Sequence, residues 1–437
     1  MQGKKKSLIV IGGGAAGIFC AVNAAGMDAD LSVTVVEKTH KLLSKVKVSG
    51  GGRCNVTHAC TVIADMAKKY PRGVNFVKKA FHQFFATDTI RWFAERGVEL
   101  KKEEDGRMFP VTDSSQTIID CLMKEVNKTG VEILMRSEVT EVERVGMTGI
   151  HLTGETAGKP GDDSESVAKS GFRVHLEDGR VLEADYVCIA CGGYPKSSLF
   201  QWIQKTGHTI EDPVPSLFTF NMPKHPITEL MGVSVPDVQV KITGARLLER
   251  GPLLITHWGL SGPVVLRLSA WGARELALGQ YVFSILVNWI PEFNEQTARE
   301  KLQEVRYDRA AQKVAAKNPW TLPQRLWEYL LTASGIGGEL RWADLPAREQ
   351  NKLVSQLCAG EFKITGKTTF KEEFVTAGGV KLAEVDPASM RSRKVPGLYF
   401  AGEILDVDGI TGGFNFQHAW TSGYVAAMAI AGGAKKG

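Results

Sequence analysis

A chain of 437 residues exceeds the roughly 100–200 residues of a single domain, and a hydrophobic content of 43% means that burial is not limiting. The net charge of +5 and the pI near 8.7 are only mildly basic, so bulk charge singles out no partner. Seven scattered cysteines, an odd number, argue against a disulfide framework and for reduced thiols.

The opening MQGKKK followed by apolar residues imitates a secretory leader, but Gly12, Gly13 and Gly14 interrupt its would-be helix. No run approaches about twenty apolar residues, so no membrane span is expected and the protein is expected to be cytoplasmic. Leu8 to Ile11 reads as a strand, Gly12-x-Gly14-x-x-Gly17 as the turn into a helix, and Glu37 closes the next strand. Each part has a mechanical reason. Gly12 permits the tight turn, Gly14 lets backbone approach a pyrophosphate, and Gly17 lets helix and strand pack closely. Glu37 is placed to accept from a ribose hydroxyl. The expected ligand is a dinucleotide whose phosphates meet the helix N-terminus.

KLLSKVKVSGGGRCNVTH at 41–58 supplies a second glycine run, where Gly50, Gly51 and Gly52 precede the cation of Arg53, again suited to phosphate. Amphipathic helices are predicted over 76–98 and 114–129, then strands within 131–145 and 172–193, with Asp178-Gly179 as a hairpin turn. The intervening 153–171 is Gly/Ser/Asp-rich and is expected to be an extended hairpin loop. Cys188 and Cys191 mimic a redox pair, yet in a strand positions three apart face opposite sides, so no dithiol role is expected.

From about 196 to 292, proline and glycine punctuate short β-branched runs, which suggests an antiparallel barrel or sandwich. Residues from about 293 to 360 carry helical spacing. The nucleotide fold resumes in the last segment with a buried strand at Leu398–Ala401, a glycine turn, a long loop and a helix from about Phe416. The expected division is therefore 1–195 and 373–437 for a discontinuous cofactor domain, with 196–372 as an insert.

SGGGRCNVT at 49–57, DGRMFP at 105–110, THWGLSGP at 256–263, VTAGGV at 375–380 and FAGEILDVDGITGGFNFQ at 400–417 together resemble the BaiN/RdsA-like bacterial flavoproteins of the HI0933 type, from end to end of the chain. The resemblance implies an α/β fold: a Rossmann-like FAD domain of the two-dinucleotide-binding-domains type, interrupted by an insert with a β-barrel and a helical part. FAD is also favoured on physical grounds. A late Gly-Glu-x-x-Asp-x-Asp element must contact something distant from the first fingerprint, and FAD is long enough to reach both.

By resemblance, Gly402, Glu403 and Asp408 lie along the ribitol and second phosphate, and Gly412, Gly413 and Phe414 present backbone at the flavin pyrimidine edge. The implied contact set also takes in Ala15 and Ala16 beside the fingerprint, and Lys38 after Glu37. It includes Gly51, Gly52, Arg53, Cys54 and Asn55 in the second glycine run, with Val139, Gly192 and Asn415. No second GxGxxG of comparable quality appears, so NAD(P)H is expected as a transient electron donor; no metal site is expected.

Family members so implied include bile-acid enone reductases, an rRNA dihydrouridine synthase and an aminoacetone oxidase. The first two share one chemistry, hydride to the β-carbon of a conjugated C=C–C=O and a proton to the α-carbon. This requires a polar donor at the carbonyl and a nearby acid. His257, Ser261, Arg107 and Cys54 are candidates by residue type and motif position.

Two basic stretches bear on substrate size. Lys68, Lys69, Arg72, Lys78 and Lys79 interleave with Tyr70, Phe76, Phe81 and Phe84 in a segment without acidic residues. Arg306, Arg309, Lys313 and Lys317 recur at spacing that would place them on one helix face. Both would suit phosphates, with the aromatics available for unpaired bases. The expectation is an FAD-dependent oxidoreductase that reduces a conjugated C=C bond, with an rRNA uracil preferred to a small enone. An aminoacetone-type amine oxidase is the alternative enzyme class, and a non-catalytic flavin-bearing RNA-binding factor is the least favoured reading. Neither DNA nor a membrane is an expected partner.

Overall fold

The computed structural model describes residues 5–146, 171–368 and 375–434. The chain forms two compact units, one from Met1–Pro213 with Gly378–Gly437 and the other from Val214–Ala377. Residues 196–213 therefore sit with the first unit.

The first unit is built on a five-stranded parallel sheet in the order Leu398–Phe400, Tyr186–Ile189, Ser7–Ile11, Ser32–Val36, Glu132–Leu134. Val10, Val35, Val187, Ile189, Leu398 and Phe400 have no exposed surface, as strands covered on both faces require. The segment at the far end of the sequence thus pairs with Val187–Ile189 in the N-terminal sheet. Over this sheet the helix Ala15–Met27 packs on the closing helix Phe414–Ala434. Their approach is close at Gly423, where an added Cβ would lie 2.7 Å from the Ala16 carbonyl oxygen.

The predicted helix over 76–98 is two helices, Val74–Phe81 and Ala86–Ala94. The break lets Phe84 and Phe85 both turn inward, and Asp88 restarts the helix by accepting from the Phe85 amide at 2.8 Å. Ser114 caps Ser115–Thr129, and left-handed Gly130 ends it. Strands Val139–Val145, Gly171–Leu176 and Val181–Ala184 form a small antiparallel sheet with Gly179 (φ 86°) in the Asp178-Gly179 turn. Apart from Gly171, the loop expected at 153–171 lies outside the described residues.

The second unit carries a seven-stranded antiparallel sheet. The ends of its pairing order, Gly360–Thr365 and Lys367–Thr368, are separated by Gly366 alone, so one bent segment occupies both edges. The Asn221 amide donates to the Gly366 carbonyl at 3.0 Å at that bend. Helices Glu295–Asp308, Gln324–Ala333 and Ala347–Ala359 bury Leu302, Trp327 and Leu353 in the same core as Val240 and Ile285 of the sheet.

The basic helix face expected over 306–317 does not form. The helix ends at Asp308, and the backbone beyond it bonds elsewhere: Trp342 N to Gln312 O at 3.0 Å, Ala343 N to Ala310 O at 3.0 Å. Burial of Val314 pulls this segment away from helical continuation. Lys313 pairs with Glu339, and Arg306 donates to the Ala343 carbonyl. No described helix is long and apolar enough to cross a membrane.

Candidate cofactor site

At the end of Ser7–Ile11 the chain turns on Gly12 (φ 114°), where a Cβ would lie 2.5 Å from the Ala190 carbonyl oxygen. Gly17 is confined more tightly, since its Cβ would meet the Gly12 oxygen at 1.9 Å. Gly14 is different: nothing lies within 4 Å of its Cβ position. It is also the helix N-cap, without a side-chain cap. Ile18 N bonds to Gly14 O at 3.0 Å, so the amides of Ala15, Ala16 and Gly17 have no intrahelical acceptor and form a positive, anion-ready end.

Glu37 closes over this turn. Its Oε2 accepts from the Gly13 amide and its Oε1 from the Thr39 amide, each at 2.8 Å, which aims the carboxylate and leaves further lone pairs for hydroxyls. Ser137 N donates to the Glu37 carbonyl at 2.9 Å, which brings the strand beginning at buried Val139 beside it. The Lys38 ammonium lies 5.4 Å from the Tyr194 ring centre.

The late glycine loop meets the fingerprint directly. A Cβ on Gly402 (φ 76°) would lie 2.7 Å from that of Ala16. The Gly402 amide donates to Ser422 Oγ at 2.8 Å, and His418 Nε2–H donates to the Gly402 carbonyl at 3.2 Å. Burial pushes the His418 imidazole down to about 4, so the ring is neutral at physiological pH. Glu403 pairs with Lys45, and its Oε2 lies 3.9 Å from the Cβ position of Gly192.

Further along, Asp408 is fully buried and bonded by both oxygens to Arg72. Asn415 clamps Gly409 through both its amide and its carbonyl, and the Tyr70 hydroxyl donates to the Phe414 carbonyl at 2.6 Å. Gly412 (φ 134°) and Gly413 (φ 89°) turn the loop into the closing helix. With its amide oriented to satisfy both ends, Asn55 accepts from Gly413 N and donates to Thr57 O, each at 3.0 Å. Gln417 N bonds to Gly413 O at 2.9 Å, so the amides of Phe414, Asn415 and Phe416 lack intrahelical acceptors.

Two helix starts whose first amides lack intrahelical acceptors, open space at Gly14, and left-handed Gly51 and Gly52 with nothing within 4 Å of their Cβ positions make a cradle that suits an elongated, doubly phosphorylated dinucleotide. Arg53 is differently placed from its expected role. Its guanidinium is 2.6 Å from Glu103 and 3.5 Å from Asp113, over the Phe109 ring, so acidic neighbours already meet its charge. Arg107 shares Glu103 at 2.9 Å and pairs with Asp105 at 2.7 Å.

Cys54, left-handed at φ 62° and fully buried, has a thiol pushed up to about 12 by burial and is no thiolate at neutral pH. Cys188 and Cys191 are free thiols, with Cys191 raised to about 11 by burial. His257 and Ser261 belong to the second unit. His257 is exposed at a turn with its ring edge-on to Trp258, and Ser261 pairs with Leu254 in the sheet. Tyr70, Phe76, Phe81 and Phe84 are all buried, which corrects the expectation that they are available to stack on bases; Lys69, Lys78 and Lys79 remain exposed.

Sequence reasoning missed His418, Gln417 and His58, and it assigned Tyr70 and Arg72 to a nucleic-acid face where the structure turns them to this loop. Gln417 Oε1 accepts from Thr57 and Thr89 at 2.6 and 3.0 Å in a fully buried network. His58 stacks on Phe414 at 5.0 Å, and burial lowers its pKa. A legible signal existed for the pair on the closing helix: Gln417 and His418 stand, with Asn415, Thr421 and Ser422, in the polar first half of a helix whose second half is apolar.

The chain is 30% identical over 431 residues to the ribosomal RNA dihydrouridine synthase of Haemophilus influenzae, an alignment covering 97% of this chain and 98% of that protein. It is 30% identical over 430 residues to the ribosomal RNA dihydrouridine synthase of Escherichia coli, covering 96% of each. Identity to the 3-dehydro-bile acid delta(4,6)-reductase of Clostridium scindens is 28% over 434 residues, 97% of this chain and 98% of that one. Residues 6–429 match the family described as HI0933-like protein Rossmann domain, and the chain belongs to that family.

Proposed function

We propose that this protein is an FAD-dependent oxidoreductase that saturates a conjugated C=C bond with electrons from NAD(P)H, and that its substrate is a uracil of ribosomal RNA. The observation that carries the reading is the meeting of Gly402 and Ala16, which brings the late segment that leads into the second helix start against the fingerprint. The relatives whose names specify saturation of a ring or enone double bond add the reaction class.

In this reading the amides of Ala15, Ala16 and Gly17 hold the pyrophosphate and Glu37 accepts from the adenosine ribose. Glu403 faces the ribitol, and the amides at the start of the closing helix meet the redox end, where N–H donors favour developing negative charge. FAD, when bound, supplies hydride to one carbon of the conjugated bond. Cys54 retains its proton at neutral pH but releases it reluctantly, and Arg107 is held by Glu103 and Asp105. Exposed Lys69, Lys78 and Lys79 provide the phosphate-binding surface.

The deciding test compares uridine and dihydrouridine in ribosomal RNA from wild-type and deletion strains, with loss of a dihydrouridine expected. An unchanged rRNA, with purified yellow protein that reduces small enones, would overturn the substrate. That second reading is favoured by the burial of Tyr70, Phe76, Phe81 and Phe84, which removes the base-stacking surface.

A further inference from the structure

We infer that Arg72 is a positioning residue for the redox end of the site: its pair with Asp408 fixes the loop 407–414 so that the first amides of the closing helix are aimed. The inference rests on the FAD reading above.

The side chain of Asp408 has no exposed surface and that of Arg72 is 11% exposed. Nε and Nη2 of the guanidinium each reach one carboxylate oxygen, a two-point grip that fixes orientation as well as distance. The backbones also pair, since Arg72 and Asp408 form an antiparallel bridge and Ile410 N donates to Lys69 O at 3.0 Å. Gly73 (φ 83°) presses on Val407, with its Cβ position 2.7 Å from the valine Cγ2. Tyr70 holds the other end through the Phe414 carbonyl. Residues 69–73 thus run as a strap along the whole loop.

Stability alone does not account for the pair. Desolvating two charges offsets most of their attraction, and apolar side chains of similar volume do as well or better in such places. What an apolar pair lacks is direction. A bare carboxylate beside the expected second phosphate would also be repulsive, and Arg72 neutralises it. Asp408 is therefore assigned to the strap rather than to cofactor contact.

The test uses the full-length protein in three forms: Arg72→Met, the double variant Arg72→Met/Asp408→Leu, and Arg72→Lys. The single Met variant leaves a buried unpaired carboxylate and should lose thermal stability. The double variant should regain the wild-type melting temperature while its Kd for FAD stays raised by about tenfold or more. In apo-protein, the bonded loop amides of Gly409, Ile410 and Gly413 should exchange at least about tenfold faster in both the double and the Lys variant, with the rest of the first unit unchanged. Wild-type exchange at these three amides in the Lys variant, or wild-type FAD affinity in the double variant, would overturn the assignment. If wild-type protein binds no FAD, the functional reading fails, yet the apo-protein exchange still decides whether Arg72 positions the loop.

Discussion

The two helix starts that frame the cradle are alike in chemistry and opposite in construction. The start at Gly14 is made by neighbours in sequence: strand Ser7–Ile11, Gly12, Gly17 and Glu37, all within one strand–helix–strand unit. The start at Phe414 is held by distant segments, through Asn55, Tyr70 and Arg72. A local motif can be tuned one residue at a time, whereas a strapped loop fails at any of several remote points.

The sharpest way to break this comparison is within the fingerprint. Gly17→Val places atoms where the Gly12 oxygen sits, and a loss of about 3 kcal/mol or more is expected in urea unfolding. Gly14→Val should melt like the wild type and yet be colourless, because its side chain enters open space. A Gly17 variant of wild-type stability would show the turn to be looser than its contacts imply.

The strapped start should be the more acid-sensitive. His418 is neutral in the folded protein with a pKa near 4, against about 6.5 when unfolded, so the unfolded chain binds more protons between those values. Its contribution is complete above about pH 6.5 and lost as pH falls toward 4, at most about 3 kcal/mol. Denaturation of wild-type and His418→Gln protein at pH 7 and 4.5 measures it; equal pH dependence in both would remove His418 as the source.

Glu37→Ala should weaken FAD by about 1–3 kcal/mol, read by titration of apo-protein, since Glu37 also holds the Gly13 and Thr39 amides. An unchanged Kd would detach Glu37 from the cofactor. Smallest of all, Lys313→Glu should change stability by no more than about 1 kcal/mol, because its pair with Glu339 is exposed. A larger loss would mean that the segment beyond Asp308 depends on that ion pair.

The same contrast explains what was legible beforehand. Residues 8–37 declare themselves because the strand, the glycine turn, the helix and Glu37 follow one another in sequence. The late strand was readable from its apolar run, and the closing helix was placed two residues late because Phe414 follows directly on the glycine pair. Arg72 was legible as a cation but not as the partner of Asp408, 336 positions away. Residues 306–317 kept helical spacing while Val314 and the 340–343 backbone dictated another path. Tyr70, Phe76, Phe81 and Phe84 looked like a stacking surface because an aromatic beside a lysine has the same spelling on a buried face as on an exposed one.

The pairing of Leu398–Phe400 with Tyr186–Ile189 has a consequence for biosynthesis. The second unit is contiguous and can complete itself while the ribosome still holds the rest, as separate folding units do. Until the last segment emerges, Tyr186–Ile189 presents an apolar strand with an unpaired edge, and the fingerprint helix lacks the helix that covers it. The nascent first unit therefore stays incomplete until Leu398–Phe400 and the closing helix have emerged, long after the fingerprint itself has been made.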